Sequence, residues 1–460
     1  MKLLLLCAIA AMAALAQTAE FRIPIEKFKL RNGMRVVLSR DNAVPVVAVY
    51  LMYGVGARSE QKGRSGFAHL FEHMMFEGSA NAPKGMHFKL VESNGGILNG
   101  STHSDFTDYF EVLPSNKLGV ALWLESDRMR SLAITAENLA NQKEAVKQER
   151  RLSFDNQPYN TAIIERWPEL AFRNWQSAHS IIGSFEDLNA ASVEDVAQFF
   201  KIHYAPNNAV LAIVGDIQIA EAKKLVETYF GDIPAQPQPA PPDLREPSDS
   251  VARSDVYHDP LAQVPAVIIG YPGPPRRSPD YNALVMADVL LTGGESSRFQ
   301  LNLVKGKQSV VRYEANLGWP VGSASDYKDP GLYGIFILRK PNFTGKQIVD
   351  QVQEEIGKIQ KDGIDPKEMQ RARTFLRASR LNELQSSLNR ARLLAQYEMF
   401  DGKPEWITEE INAFVAVTPA QVQAAVKKYL APEKRTVLEI LPAPKPASPK
   451  PQAAPPKEAP

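Results

Sequence analysis

The stretch GFAHLFEHMMFEGS, residues 66–79, places His69, Glu72 and His73 close together in an otherwise apolar segment. Residues three and four apart share one face of a helix, so a helix here projects both imidazoles from one side and lets them grip a single ion. Glu72 precedes the second histidine by one residue. Phe67, Leu70, Phe71, Met74 and Met75 surround the three polar side chains and would bury the helix and dry the site. A lone histidine in such a setting reads as a core residue satisfied by hydrogen bonds. The full H-x-x-E-H pattern reads as a metal motif.

Two histidines leave a zinc ion one protein ligand short, because a catalytic zinc takes three and keeps a position for water. The only cysteine, Cys7, falls in the leading apolar run, so a metal must be held by His, Asp or Glu, and a carboxylate is the expected third ligand. Residues 137–152, ENLANQKEAVKQERRL, read as a helix whose apolar stripe runs through Leu139, Val146 and Leu152. Glu149, three residues after Val146 and four after Ala145, falls on that stripe and is the expected ligand, whereas Glu144 has polar helical neighbours and reads as a solvated charge. The expected chemistry is peptide hydrolysis with one zinc ion per chain. Zinc acidifies a water, and Glu72 takes its proton and later passes it to the leaving amine. His87, His103, His179, His203 and His258 are scattered and are not expected to touch metal.

The chain has 460 residues, 44% hydrophobic and 23% charged, with a formal net charge of +1. That is enough for two domains of a soluble protein and gives no polyanion-binding signature, which argues against a nucleic-acid partner. MKLLLLCAIAAMAALAQ has a basic start, a short apolar run and small residues before Gln17, the form of an export signal covering residues 1–16. The run is too short to span a bilayer comfortably, so stable membrane insertion is not expected. The periplasm is the expected destination, with secretion as the alternative.

Proline-dense residues 234–247 read as a semi-rigid linker and residues 442–460 as a disordered tail. They divide the chain into a metal-binding domain, residues 17–233, and a second domain, residues 248–441. VEDVAQFFKIHYAPNNAVLAIV (193–214) and PAQVQAAVKKYLAPEKRTVLEIL (419–441) share an amphipathic helix, an Ala-Pro break and an apolar strand, the mark of a duplication. Strand-like MRVVLS, VVAVYLMYG, AVLAIVG, AVIIGYPG and LYGIFILR alternate with helical stretches such as 116–130 and 366–397. The expected class is α+β, two homologous halves of a sheet covered by helices.

With these residues in place the chain resembles the inverted-motif zinc peptidases of the insulinase or pitrilysin family, and most of all its bacterial members similar to mitochondrial processing peptidase. The family's third ligand follows the second histidine at the distance that Glu149 follows His73, with 75 residues between. NGGILNGSTHSDFTDYFEVLP (94–114) looks like the family stretch G-G-x-x-N-[AG]-x-T-x-x-D-x-T-x-Y, and IGSFEDL, HYAPNNAVLAIVGD and GGESSRF are further familiar pieces. The resemblance implies half of a clamshell that four such halves complete, hence a second chain. It implies that Asn99 hydrogen-bonds the backbone of a peptide substrate added as a strand beside residues 98–102.

Two departures stand out. Many members carry an acidic residue seven positions before the third ligand, where this chain has Gln142. Full-length members also supply an Arg and a Tyr from the second half to the bound peptide. The Arg matches Arg298 in SSRF, but Val311 stands at the position of the Tyr, with Tyr313 two residues on. The expectation is a zinc subunit whose homologous partner lacks the zinc motif and supplies Arg and Tyr, a homodimer being the alternative. A non-catalytic scaffold is the competing function, and intact His69, Glu72, His73 and Glu149 favour the enzyme.

Overall fold

The computed structural model describes residues 22–246, 252–320, 322–329 and 331–444. The expected export signal, residues 1–16, and residues 445–460 of the expected tail lie outside them.

Six strands form the first sheet: β1 (Glu26–Lys29), β2 (Arg35–Arg40), β3 (Val46–Tyr53), β4 (Ile97–Thr102), β5 (Thr107–Pro114) and β6 (Ala209–Gly215). Their spatial order is β1-β2-β6-β3-β5-β4. The second sheet contains β7 (Arg253–Asp259), β8 (Ala266–Pro272), β9 (Val310–Leu317), β10 (Leu332–Arg339) and β11 (Thr436–Pro442), in the order β7-β11-β8-β10-β9. Setting β1 aside, the strands of each sheet, numbered along the chain, lie first-fifth-second-fourth-third. In both sheets only the first and fifth run parallel. The two similar sequence segments occupy the same place in each half: helix Val193–His203 leads into β6, and helix Pro419–Tyr429 into β11. The protein is therefore α+β, built of two sheet-plus-helix halves.

β3 and β6 are apolar on both faces because both faces are covered, which suits their β-branched composition. Val47, Val49, Leu51 and Tyr53 of β3 face the core made with helices of the first half. Ala48, Tyr50 and Met52 face the other way, onto Leu393, Leu394 and Tyr397 of helix Ser387–Asp401, which belongs to the second half by sequence. The second sheet mirrors this. Val267, Ile269 and Tyr271 of β8 face that half's own helices. Ala266 and Ile268 face Ala162 and Trp167, contributed by the first half. A Cβ on Gly270 would come within 2.3 Å of the Trp167 ring, so the indole lies directly over this strand. Each half thus lends a helical segment to the far face of the other's sheet.

Two sequence expectations, on the helical stretch 366–397 and on Leu152, need correction, and the expected linker has contacts that its composition did not announce. The helical stretch 366–397 is two helices, Pro366–Glu383 and Ser387–Asp401, and the Ser386 side chain caps the second by accepting from the Asn389 N–H. Both pieces keep a helical period, so the break leaves no trace in the pattern of apolar residues. Residues 234–246 of the expected spacer form no helix or strand but are tied down: Asn207 exchanges two hydrogen bonds with the Gln236 backbone, and Glu246 accepts from the Arg173 and Asn174 N–H groups. Leu152, expected on an inward stripe, is 55% exposed. The helix Ala136–Glu149 widens into a π-helical turn over Arg150–Asp155, which rotates Leu152 outward. Among the described residues no helix is long and apolar enough to cross a membrane.

Candidate metal centre

Helix Phe67–Met74 starts at Gly66 with φ +82°, a left-handed conformation that favours glycine. The absence of a Cβ there also allows close packing, since one would meet Gly183 Cα at 2.7 Å. Phe67, Leu70, Phe71 and Met74 are buried in the first-half core, which turns His69, Glu72 and His73 to the opposite side. Glu149 comes from the last residue of helix Ala136–Glu149, which is started by the Thr135 hydroxyl accepting from the Asn138 N–H and held down by buried Leu139 and Val146.

His69, His73 and Glu149 meet, and Glu72 lines the same cavity. Glu149 Oε2 lies 3.2 Å from His73 Nε2 and 3.6 Å from His69 Nε2. One donor atom from each of His69, His73 and Glu149 falls within 4.8 Å of the others, a set able to hold a metal ion. Glu144 is turned away, its side chain 69% exposed and paired with Lys147. The donor chemistry fits zinc: two imidazole nitrogens and one carboxylate, with an open cavity on the remaining side. Burial, reinforced by the neighbouring His73, lowers His69 to about 4 and leaves its ring neutral with a lone pair to offer. At His73 burial acts downward, but the hydrogen bond to Glu149 and the charges of Glu72 and Glu149 outweigh it and raise the imidazole.

Gln142 keeps an acceptor oxygen at its position without the charge of an acidic residue. His73 Nδ1 lies 3.2 Å from Gln142 Oε1, while Gln142 Nε2 donates to Glu77 Oε1 at 2.7 Å. The amide is oriented by having a partner at each end, so its oxygen faces His73 and holds a hydrogen on Nδ1, which leaves Nε2, the nitrogen facing Glu149, as the one that can ligate a metal once its own proton is lost. Glu72 is held by the end of β4: Thr102 Oγ1 donates to its Oε2 at 2.7 Å. Burial pushes the Glu72 carboxyl up to about 7, and the Thr102 hydrogen bond acts in the opposite sense. Sequence reasoning missed Thr102 and assigned Gln142 no contact. The only available signals were the threonine of the family stretch and the seven-residue spacing.

A cavity of about 370 Å³ opens from this group between the halves. His69, Glu72, Thr102 and Glu149 line one side, and Trp319 and Leu332 of the second half line the other. Gly100, Ser101 and Thr102 of β4 also reach the cavity, while Asn99 is exposed on the same strand. Among the described residues β4 pairs only with β5, so its outer edge is open. Arg298 is not brought to the metal group. It forms a two-pronged pair with Glu368, both contacts at 2.8 Å, outside this cavity. Val311 on β9 is 55% exposed, and the Tyr313 hydroxyl is engaged with Ser297 Oγ and the Thr292 carbonyl.

A second group, His87, Glu111 and Glu125, also gathers three donors. Arg128 pairs with Glu125 at 2.9 Å and reaches to 3.8 Å from Glu111, so a guanidinium already supplies the positive charge there. Burial pushes the Glu125 carboxyl up to about 8, with the Arg128 charge acting in the opposite sense.

Residues 35–184 match the family model "Insulinase (Peptidase family M16)", and residues 190–376 match "Peptidase M16 inactive domain". The chain is similar to the zinc protease PqqE of Helicobacter pylori, 26% identical over 91% of this chain and 93% of that one. It is 22% identical to the mitochondrial-processing peptidase subunit beta of Lentinula edodes over 87% and 86% of the two chains. Among solved structures, a protease from Helicobacter pylori superposes with a TM-score of 0.85 at 25% identity, covering 91% of this chain and 100% of that one. The periplasmic protease PqqL of Escherichia coli gives 0.71 at 16% identity, covering 92% of this chain but 48% of its own length.

Proposed function

The chain belongs to the insulinase family, peptidase family M16, and on that premise we propose that it is a zinc-dependent endopeptidase acting on peptides or unfolded polypeptides. The observation that carries the proposal is the convergence of His69, His73 and Glu149 on one point, with Glu72 on the same helix face. His69, His73 and Glu149 would hold the ion, which supplies Lewis acidity and brings the pKa of a water toward neutrality. Glu72 takes the proton of the attacking water and delivers it to the leaving amine. Thr102 keeps the Glu72 carboxylate oriented, and Gln142 keeps His73 in the ligating tautomer. The open edge of β4 receives the peptide backbone as an added strand, with Asn99 as a side-chain contact, and the apolar cavity walls exclude bulk water.

The proposal includes a partner. Arg298 is committed to Glu368, Tyr313 to Ser297, and Val311 offers no hydroxyl. A homologous chain without the zinc motif would then supply the Arg and the Tyr. The signal-like residues 1–16 support export, with the periplasm as the proposed site of action.

The test is cleavage of a diverse peptide mixture by the zinc-loaded chain, read by mass spectrometry with and without chelator, beside Glu72→Gln. The variant should retain zinc and lose cleavage; a Glu72→Gln protein that still cuts would sink the assigned base. Isolation of a fully active homodimer would count against the heterodimer.

A further inference from the structure

The helix carrying His69, Glu72 and His73 is eight residues long and begins at a glycine, which has no side chain to cap it. The first N–H groups of a helix need partners from elsewhere, and a helix this short has little stability of its own. Here the partner is Glu60. Its carboxylate accepts from the Gly66 N–H at 2.9 Å and the Ala68 N–H at 2.7 Å, at the positive end of the helix. Glu60 is 4% exposed, and an uncompensated carboxylate so far from water is costly. His179 compensates it: Nε2 lies 2.8 Å from Glu60 Oε2, and Nδ1 lies 2.8 Å from the Trp175 carbonyl oxygen. Both neighbours offer acceptor oxygens; burial acts downward on the imidazole, but the hydrogen bonds to Glu60 and the Trp175 carbonyl and the Glu60 charge outweigh it and favour the doubly protonated ring. The ring stacks flat on the Trp175 indole, with centroids 3.9 Å apart and planes 6° from parallel.

We propose that His179 is a positioning residue for the metal centre: it neutralises and orients Glu60, and Glu60 fixes the start of the helix from which His69, Glu72 and His73 project. The inference rests on the reading of His69, His73 and Glu149 as metal ligands. Its consequence follows from the geometry. Glu149 stands on a different helix, so a shift in the first turn of the histidine helix moves His69 relative to Glu149 and spoils the three-donor set. The shift is limited, because Ser65 also anchors this start through two hydrogen bonds to Asp187. Loss of His179 should therefore loosen the site without dismantling the fold.

The experiment measures zinc affinity by chelator competition, and the visible absorption of the cobalt-substituted chain, in wild type, His179→Ala, Glu60→Gln and the double variant. Ile356→Val, in the second-half core, serves as a control for general destabilisation. The expected result for His179→Ala is zinc binding weaker by about tenfold, the lower end of the range for residues supporting a metal ligand, with altered cobalt bands. Adding His179→Ala to Glu60→Gln should weaken binding by less than about twofold more, as for two residues acting through one path. Ile356→Val should keep wild-type affinity and spectrum. Wild-type affinity and bands in His179→Ala would overturn the proposal, as would a full loss in the Glu60→Gln background. If His179→Ala does not fold, His179→Gln, which keeps a donor without the charge or the ring, decides by the same two readouts. Wild-type protein that takes up neither zinc nor cobalt would refute the metal reading instead.

Discussion

Replacing Thr102 by valine removes one hydroxyl beside Glu72 and leaves the side-chain volume almost unchanged. In the native site Thr102 Oγ1 donates to Glu72 Oε2 at 2.7 Å. A hydrogen bond donated to a carboxylate favours the charged form, so this one lowers the Glu72 pKa, against the burial that pushes it up to about 7. Such bonds contribute about 1.5–3 kcal/mol. Thr102 is only partly buried, so the lower figure applies, and about 1.4 kcal/mol corresponds to one pKa unit. Thr102→Val should therefore move the acid limb of kcat/KM upward by about one pH unit. A bound cation would lower the carboxyl in both proteins, which makes the difference between them the observable. The assay is the pH profile of cleavage of a fluorogenic peptide, with zinc content checked at each pH. The loss should approach about tenfold well below the wild-type limb and shrink toward the plateau. A limb that stays in place with a uniform loss at every pH, or one that moves downward, would refute the reasoning.

Three other perturbations read different parts of the molecule. Gln142→Leu removes the acceptor at His73 Nδ1 and should weaken zinc binding by about 10- to 100-fold in chelator competition; unchanged affinity would detach Gln142 from the site. Glu125 has its pKa raised by burial to about 8, so the folded chain keeps a proton that the unfolded chain releases near 4.5. The stability from that proton is full below the unfolded value and drains as pH rises toward 8. Glu125→Gln should accordingly gain in midpoint temperature relative to wild type between pH 5 and 8, and a constant gap would argue that the cluster holds no proton. Trp167→Ala empties the first-half contribution to the second sheet's far face and should cost about 3–5 kcal/mol in denaturant unfolding. A loss below about 1 kcal/mol would mean that the lent segment does not hold the halves together.

The sequence by itself determined what depends on short spacing. His69, Glu72 and His73 are three and one residues apart, so helical geometry alone puts them together, and the inward side of the helix ending at Glu149 was legible from Leu139 and Val146. Strands β3, β6, β8 and β10 announced themselves as apolar runs, and the duplicated helix–strand segments foretold the matching sheets. Tertiary structure decided everything that turns on which distant segments touch. Nothing local to His179 reveals that it meets Glu60 across 119 residues, or that Gln142 spans His73 and Glu77. Leu152 kept the helical period on paper and lost it because the helix widens after Glu149. The exchange of helical segments between halves was invisible for a related reason. An apolar face declares that it will be covered, but the hydrophobic effect is non-directional, so only the packed chain settles which element covers it.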